Sequence, residues 1–348
     1  MANQAQKETD HILETIERRL KKEYKKANEE VSEKLADYLR RFEVKDKIKK
    51  DQVLRGVITE KEYKEWRTGQ MIMGKRWQEM KESISADLAN ADKIAKGIID
   101  KEMPEVYALN HDYATYLVER AGKVDTSYTL YNRKAVERII KENPKMLPAP
   151  GKQMKAKLAA GIEKKWNMER VQSVMLQGIL QGESIPQLSK RLYRVTEGNY
   201  KAAIRNARTM TTGAENAGHV DAYHRAEEMG VEIEQQWLAT LDSRTRDSHR
   251  EMDGEIQGED GYFSNHLRYP GDPDGDPAEV YNCRCRIIAN VKGFSRDLSD
   301  TSLRHNSKLG NMSYDDWKEA HGESQSITKQ EEIAEGMKWR YIHEDYRK

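Results

Sequence analysis

The sequence predicts an α+β fold that is mostly α: a long N-terminal helical region, a further helical segment, and a small C-terminal α+β module with few strands. Three observations predict it. Through most of the first 230 residues, apolar side chains recur every three or four positions, the spacing that puts them on one helix face. From Val231 that period gives way to alternation: Val231, Ile233, Gln235, Trp237 and Ala239 against Glu232, Glu234, Gln236 and Leu238, the pattern of a half-buried strand. The 348 residues are also only 37% hydrophobic and 34% charged, with a mean hydropathy of −0.95, where globular domains usually hold roughly 45–50% apolar residues, Gly included. Long solvated helices around modest cores, with surface that needs a partner, fit those figures.

Composition excludes several classes. No stretch approaches the roughly 18–20 apolar residues of a membrane span. Met1 to Arg18 lacks the apolar core of a secretory signal. Two cysteines do not make a disulfide framework. The length suits about two or three domains.

The first 45 residues read as one helix, with Ile12, Ile16, Leu20, Tyr24, Ala27, Val31, Leu35, Tyr38 and Phe42 in steps of three and four. That face packs on its own domain or docks on another protein. Thr59 and Glu62 fit a capping box, opening a helix with Tyr63 and Trp66. Helical text follows from about Gln70 to Lys101, then from Pro104, suited to a first turn, to Ala121, and again from Tyr131 to Glu142. Pro144, Pro148, Pro150 and Gly151 break the helical text and mark the best domain boundary, as a surface loop or a linker. Beyond it, helices are expected over Lys155–Gly178, from Ser184 around Leu188 and Leu192, and over Tyr200–Met229, stopped by Gly230. Strands are expected from Val231 to Ala239 and from Cys283 to Val291. A turn at Asp253-Gly254 and a rigid loop through Pro270, Pro273 and Pro277 lie between them. The polar tail from Gly293 holds helical islands near Tyr314–Ala320 and Ile333–Tyr341.

The division that results is 1–150, helical; 151–230, basic and helical; 231–292, a compact α+β core; and 293–348, a polar tail with short helices. The formal net charge is +1, but it is unevenly spread. Asn132 to Met210 carries 17 Lys plus Arg against 6 Asp plus Glu, a net of +11, whereas Asp242 to Cys285 carries 5 against 11, a net of −6. A basic helical block suits duplex DNA through counterion release, and equally suits an acidic protein surface, including this chain's own.

The densest chemistry runs from Trp237 through Asp242, Arg244, Arg246, His249, Asp253 and Gly254 to Tyr269-Pro270-Gly271-Asp272-Pro273 and Asn282-Cys283-Arg284-Cys285. Asp242 is placed to cap a short helix. Arg244 and Arg246 suit bidentate carboxylate pairing between loops. His249 and Asp253, four apart, share a face if that stretch is helical. Cys283 and Cys285, two apart on an expected strand, point the same way, a spacing that does not suit a disulfide between them. His249, Cys283 and Cys285 form three parts of a structural zinc set, with Asp242, Asp253 or His266 as the fourth. The alternatives are thiols that act as small buried hydrophobes beside a hydrogen-bonded histidine, and a nucleophile–base–orienter or hydrolytic-metal site. No Gly-rich phosphate loop accompanies them.

The series Trp237, Asp242 to Gly254, Tyr269 to Pro273 and Asn282 to Cys285, with Gln177 to Ile185 and Ala207-Arg208-Thr209 upstream and Tyr314-Asp-Asp-Trp317 downstream, resembles the phage Mu F-like minor head proteins, the phage head morphogenesis family. The resemblance covers about Trp166 to Trp317. It implies a structural, non-enzymatic minor capsid protein of a virion, present in few copies, portal-associated and assembled in the host cytoplasm. It also implies partners among portal, major capsid or scaffold proteins, and contact with DNA in packaging or ejection. Residues 1–150 match the family only in being helical, and their expected role as the docking arm is inferred from position. Some relatives carry a toxin domain after the cysteines; here 56 residues follow Lys292, too few and too polar for one. The alternative is a virion-borne enzyme or effector built on Asp242, His249, Cys283 and Cys285.

Overall fold

The computed structural model describes residues 3–72, 74–125, 130, 164–180, 183, 185–294, 304–305 and 312–322. The expected helix at 131–142, the proline-rich boundary at 144–151, the start of the helix expected from 155 and the island at 333–341 lie outside them.

Helix α1 spans Gln4–Leu54, nine residues past the expected end. Its stripe is buried from Ile16 to Tyr38, while i,i+4 pairs such as Lys25–Glu29 and Lys26–Glu30 lace the solvent side. Gly56 is the stop signal that the expected end overlooked: φ is +71°, and Gly56 and Val57 donate back to Val53 and Gln52 carbonyls at 2.9 and 2.8 Å. Helix α2 spans Glu60–Ile72 and starts at the expected capping box: Thr59 N–H donates to Glu62 Oε2 at 2.7 Å and Glu62 N–H to Thr59 Oγ1 at 3.2 Å.

Helix α3 runs unbroken over Lys75–Gly122 with Pro104 inside it, where two helices were expected. Proline costs a helix one hydrogen bond, but Ile99, Met103, Val106 and Tyr107 on either side are all buried, and that packing holds both halves in one helix. A two-residue strand β1, Val124–Asp125, precedes helices α4, Lys164–Leu180, and α5, Ile185–Glu228. Helix α5 likewise merges two expected helices and ends before Gly230, φ +94°. Then come strand β2, Val231–Leu238, helical turns α6, Asp247–Glu251, and α7, Pro277–Val280, strand β3, Arg286–Phe294, strand β4, Arg304–His305, and helix α8, Tyr314–Gly322. No helix among the described residues is long and apolar enough to cross a membrane.

The chain forms two compact units. The helical unit takes its residues from 17–98 and 156–204. Its core joins Val31, Leu35 and Leu39 of α1, Trp77, Ile84 and Leu88 of α3, Val171 and Met175 of α4, and Leu188, Leu192 and Val195 of α5. One buried polar network runs through it. Tyr24 Oη donates to Asp92 Oδ1 at 2.5 Å, Asn199 Nδ2 to Asp92 Oδ2 at 3.0 Å, and Arg170 Nη1 to Asn199 Oδ1 at 2.7 Å.

The mixed unit takes its residues from 1–16, 99–155 and 205–348. Strands β2 and β3 pair antiparallel from Val231↔Phe294 to Leu238↔Arg286, with a bulge at Glu232/Ile233. Val231 and Trp237 of β2 and Ile287 of β3 join Tyr107, Ala114 and Val118 of α3 and Ala217, Val220, Tyr223 and Ala226 of α5 in one core. Strands β1 and β4 pair at Val124↔His305. Helix α8 docks through Trp317, whose Nε1–H donates to Glu119 Oε2 at 2.6 Å. The second main strand begins at Arg286, three residues later than expected. The carbonyls of Cys283 and Cys285 are taken by side chains of α5, so these residues lie outside the ladder.

Candidate functional site

The 47 residues from Ala239 to Cys285 contain only two helical turns, so this stretch is positioned by side-chain locks. The first is the Asp253-Gly254 turn. Gly254, φ +85°, donates to Trp237 O at 2.9 Å, and Trp237 N–H returns to Glu255 O at 2.8 Å. Asp253 Oδ1 accepts Ala239 N–H at 2.8 Å. Trp237 is fully buried and meets Phe263 and His249 edge-on, with centroids 5.2 and 5.3 Å away.

The second lock is Asp242. Arg284 grips it bidentately, Nη1 on Oδ2 and Nη2 on Oδ1, and Arg244 N–H donates to Oδ1 at 2.8 Å. The Arg284 hydrogen bonds, followed by the one from Arg244 N–H, hold its carboxyl well below the usual carboxylate range. The third is Arg246, which donates to the carbonyls of Glu279 and Tyr281. The fourth is Arg268, which pairs with Asp272 through Nε at 2.7 Å and Nη2 at 2.5 Å.

Helix α5 supplies the wall. Thr209, Thr212, Asn216 and His219 fall in steps of three and four, hence on one face. Thr209 Oγ1 accepts Asn282 N–H at 3.1 Å, and Thr212 Oγ1 donates to Cys283 O at 2.8 Å. Asn216 Nδ2 donates to Pro270 O at 3.0 Å and to Cys285 O at 3.2 Å, while its Oδ1 accepts Ile287 N–H at 2.8 Å. Glu215 takes Arg286 Nε–H at 2.6 Å. Gly271, φ +85°, lies so close to the helix that a Cβ there would sit 2.8 Å from Gly213 N. This explains the glycine of the Tyr-Pro-Gly-Asp-Pro run. Asn282 sits at φ +53°, a conformation asparagine tolerates better than most residues.

Inside these locks lie His249, Cys283 and Cys285, 1%, 2% and 2% exposed. His249 Nδ1 is 3.3 Å from Cys285 Sγ and 3.6 Å from Cys283 Sγ. Its Nε2 is 2.8 Å from Glu279 Oε2, and Cys285 N–H donates to Cys283 Sγ at 3.4 Å. Within the thiol pair, the Cys283 hydrogen bond and then His249 hold the Cys285 thiol down, while that same bond and burial push Cys283 up. A carboxylate–imidazole–thiol chain of this kind, with its imidazole and thiols buried, can hold a metal or pass a proton.

The three residues read as a partial ligand set therefore meet, with their ligand atoms all within 4.8 Å of one another. The three fourth-ligand candidates lie elsewhere: Asp242 is held by Arg284, Asp253 by Ala239 N–H, and His266 is exposed. Three expectations need correction. Asp242 closes a turn and caps no helix, because α6 starts five residues later, after Arg246. Asp253 shares no helix face with His249, because α6 ends at Glu251. Arg246 binds carbonyls in place of a carboxylate; the bidentate arginines of this stretch are Arg284 and Arg268. Tyr269 and Pro270 are buried as a structural pair. Glu279, Asn216, Thr212 and Arg284's role went unread in the sequence. The polar steps 209, 212, 216 and 219 in otherwise small-residue helical text were the available signal for the α5 wall.

Residues 169–288 match the family described as phage Mu protein F like protein, the family expected from the motif series, over roughly a third of the chain. The chain is 25% identical over 217 residues to "Minor head protein GP7" of Bacillus phage SPP1, covering 62% of this chain and 67% of that protein. It is 29% identical over 208 residues to "NAD(+)--arginine ADP-ribosyltransferase EFV" of Enterococcus faecalis, covering 58% of this chain but only 40% of that protein. A Haemophilus influenzae protein without an assigned role is 30% identical over 118 residues, 34% of this chain and 24% of that one. No solved structure matches significantly.

Proposed function

We propose that this chain, with its phage Mu F-like segment, is a structural minor capsid protein of a tailed phage that acts in head morphogenesis and resides in the virion. The observation that carries the reading is the coincidence of the family match, residues 169–288, with the α5 wall and the locked module it supports. The likeness to a phage minor head protein along 67% of that protein's length supports the same reading. A non-enzymatic role is supported by where the motif residues are engaged: Asp242, Arg246, Asp253 and Arg268 hold the module's own backbone and loops, and His249 and the cysteines face no solvent.

In this reading, residues 1–150 dock on portal, major capsid or scaffold proteins beside the portal, and assembly takes place in the host cytoplasm. Val44, Ile48, Leu54 and Val57, all more than half exposed, are apolar surface of the kind a partner covers. The basic block at Asn132 to Met210 contacts duplex DNA, with affinity that falls steeply as salt rises; binding that is absent or indifferent to salt refutes that part. The decisive experiment is assembly of heads without this chain. We expect defective portal incorporation, DNA packaging or infectivity, and wholly normal particles would sink the proposal.

A second reading, a virion-borne enzyme, draws on the ADP-ribosyltransferase relative and on the Cys285–His249–Glu279 chain. His249→Ala and Cys283→Ser separate the two readings. Loss of solubility or assembly supports the structural role, and well-formed particles with a specific catalytic defect support the enzyme.

A further inference from the structure

The feature that the assembly role leaves unused is the His249–Cys283–Cys285 cluster, and we propose that it is a zinc site that staples the irregular stretch between β2 and β3. The proposal does not depend on the role in assembly. Tetrahedral zinc with bonds of about 2.3 Å to sulfur and about 2.0–2.1 Å to nitrogen places those donors about 3.6 Å apart. His249 Nδ1 lies 3.3 and 3.6 Å from the two sulfurs, close to the nitrogen–sulfur separation one zinc ion sets, and all three donors lie within 4.8 Å of one another. The outer ring nitrogen, Nε2, lies 2.8 Å from the Glu279 carboxylate, the partner that orients metal-bound histidines and fixes their tautomer. Trp237, edge-on at 5.3 Å, holds the ring from the side.

The ligands are also fixed from behind. Thr212 holds the Cys283 carbonyl at 2.8 Å and Asn216 the Cys285 carbonyl at 3.2 Å, so the thiols are aimed before a metal arrives. The neighbouring cations are engaged elsewhere: Arg246 on the carbonyls of Glu279 and Tyr281, Arg284 on Asp242. Among the described residues the cluster supplies three protein ligands, two thiolates and one imidazole.

What the ion does follows from the chain it closes. His249 sits on α6, and the cysteines follow 34 and 36 residues later. The stretch between them has one four-residue helical turn and a net acidic charge. Small modules with this little regular structure commonly gain stability from a structural metal. Zinc would tie α6 to the residues that lead into β3 and neutralise the charge of two thiolates in a buried site.

The test uses the full chain, purified under reducing conditions without chelator. We expect close to one zinc per chain, an X-ray absorption signature of two sulfur neighbours and at least one lighter one, and a thiolate-to-cobalt charge-transfer band on cobalt substitution. Cys283→Ser, Cys285→Ser and His249→Ala should each lose the metal, and chelation should lower the Tm of the wild type. Glu279→Gln, outside the ligand set, should keep the fold and weaken zinc binding roughly 10–100-fold. Zinc well below one per chain, with no cobalt band in folded wild-type protein, overturns the proposal. So does zinc fully retained by Cys283→Ser. If the ligand variants fail to fold, the wild-type absorption spectrum still decides, because a metal without sulfur neighbours also overturns it.

Discussion

The helical unit and the mixed unit are held together by different means. In the helical unit, side chains at helical spacing meet others of the same kind, and one polar network around Asp92 crosses the core. In the mixed unit, a sheet of two main strands and two short helices cannot position nearly fifty irregular residues. Polar side chains of α5 and a set of bidentate arginines do so instead. In the first unit, stability is spread over many interchangeable apolar contacts. In the second it is concentrated in a few polar side chains, each serving several backbone groups at once, because buried N–H and C=O groups outside a ladder need partners.

That contrast has a direct test, with the largest expected effect. Asn216→Leu strands Ile287 N–H and loosens the carbonyls of Pro270 and Cys285. At about 1–3 kcal/mol per buried group left unsatisfied, the loss should reach about 4 kcal/mol. Leu88→Ala, a fully buried core truncation in the helical unit, should cost about 3 kcal/mol. Urea unfolding of the two variants measures both. If the asparagine costs less than the leucine, the mixed unit is an ordinary apolar core and the comparison fails.

A second, somewhat smaller effect is the response to acid. Burial lowers His219 from 6.5 to about 4, so between those values the unfolded chain binds a proton that the folded chain refuses. Stability from this group is full above pH 6.5 and is lost as pH falls toward 4, a change on the order of 3 kcal/mol. Burial raises Asp92 of the helical unit from 3.8 to about 6. There the folded form binds the extra proton, and stability is lost as pH rises through that range. Asp221 of the mixed unit, also raised by burial to about 6, opposes His219. His219→Gln should therefore flatten the acid-side loss measured by unfolding at pH 4 and 6.5, and an unchanged slope would remove the histidine from the account. The smallest effect belongs to Arg284→Lys. It breaks the bidentate grip on Asp242, but both side chains are about one-third exposed and screened. Its Tm should fall by much less than that of Asn216→Leu, and an equal fall would make this partly exposed pair as strong a lock as the buried asparagine.

Legibility in the sequence follows the same division. The α1 stripe, the capping box, β2 and the stop at Gly230 are local patterns, and each stands where its residues imply. The breaks placed at Pro104 and near Tyr200 do not exist, because burial on both sides outweighs local signals in α3 and α5. The meeting of His249 with both cysteines was a readable composition, but the alignment of Asp242, Asp253 or His266 with them was not. Each of those has a partner that spacing alone does not reveal.

By itself, then, the sequence determined helix faces, the switch from helical to strand period at Val231, and which residue types gather in the motif run, because these depend on neighbours a few positions apart. Tertiary structure alone decided that α5 is the wall behind the motif, that Glu279 backs His249, and that Arg284 claims Asp242. Those contacts join residues 30 to 73 positions apart, and which of several equally suitable polar partners wins is set by how the backbone packs.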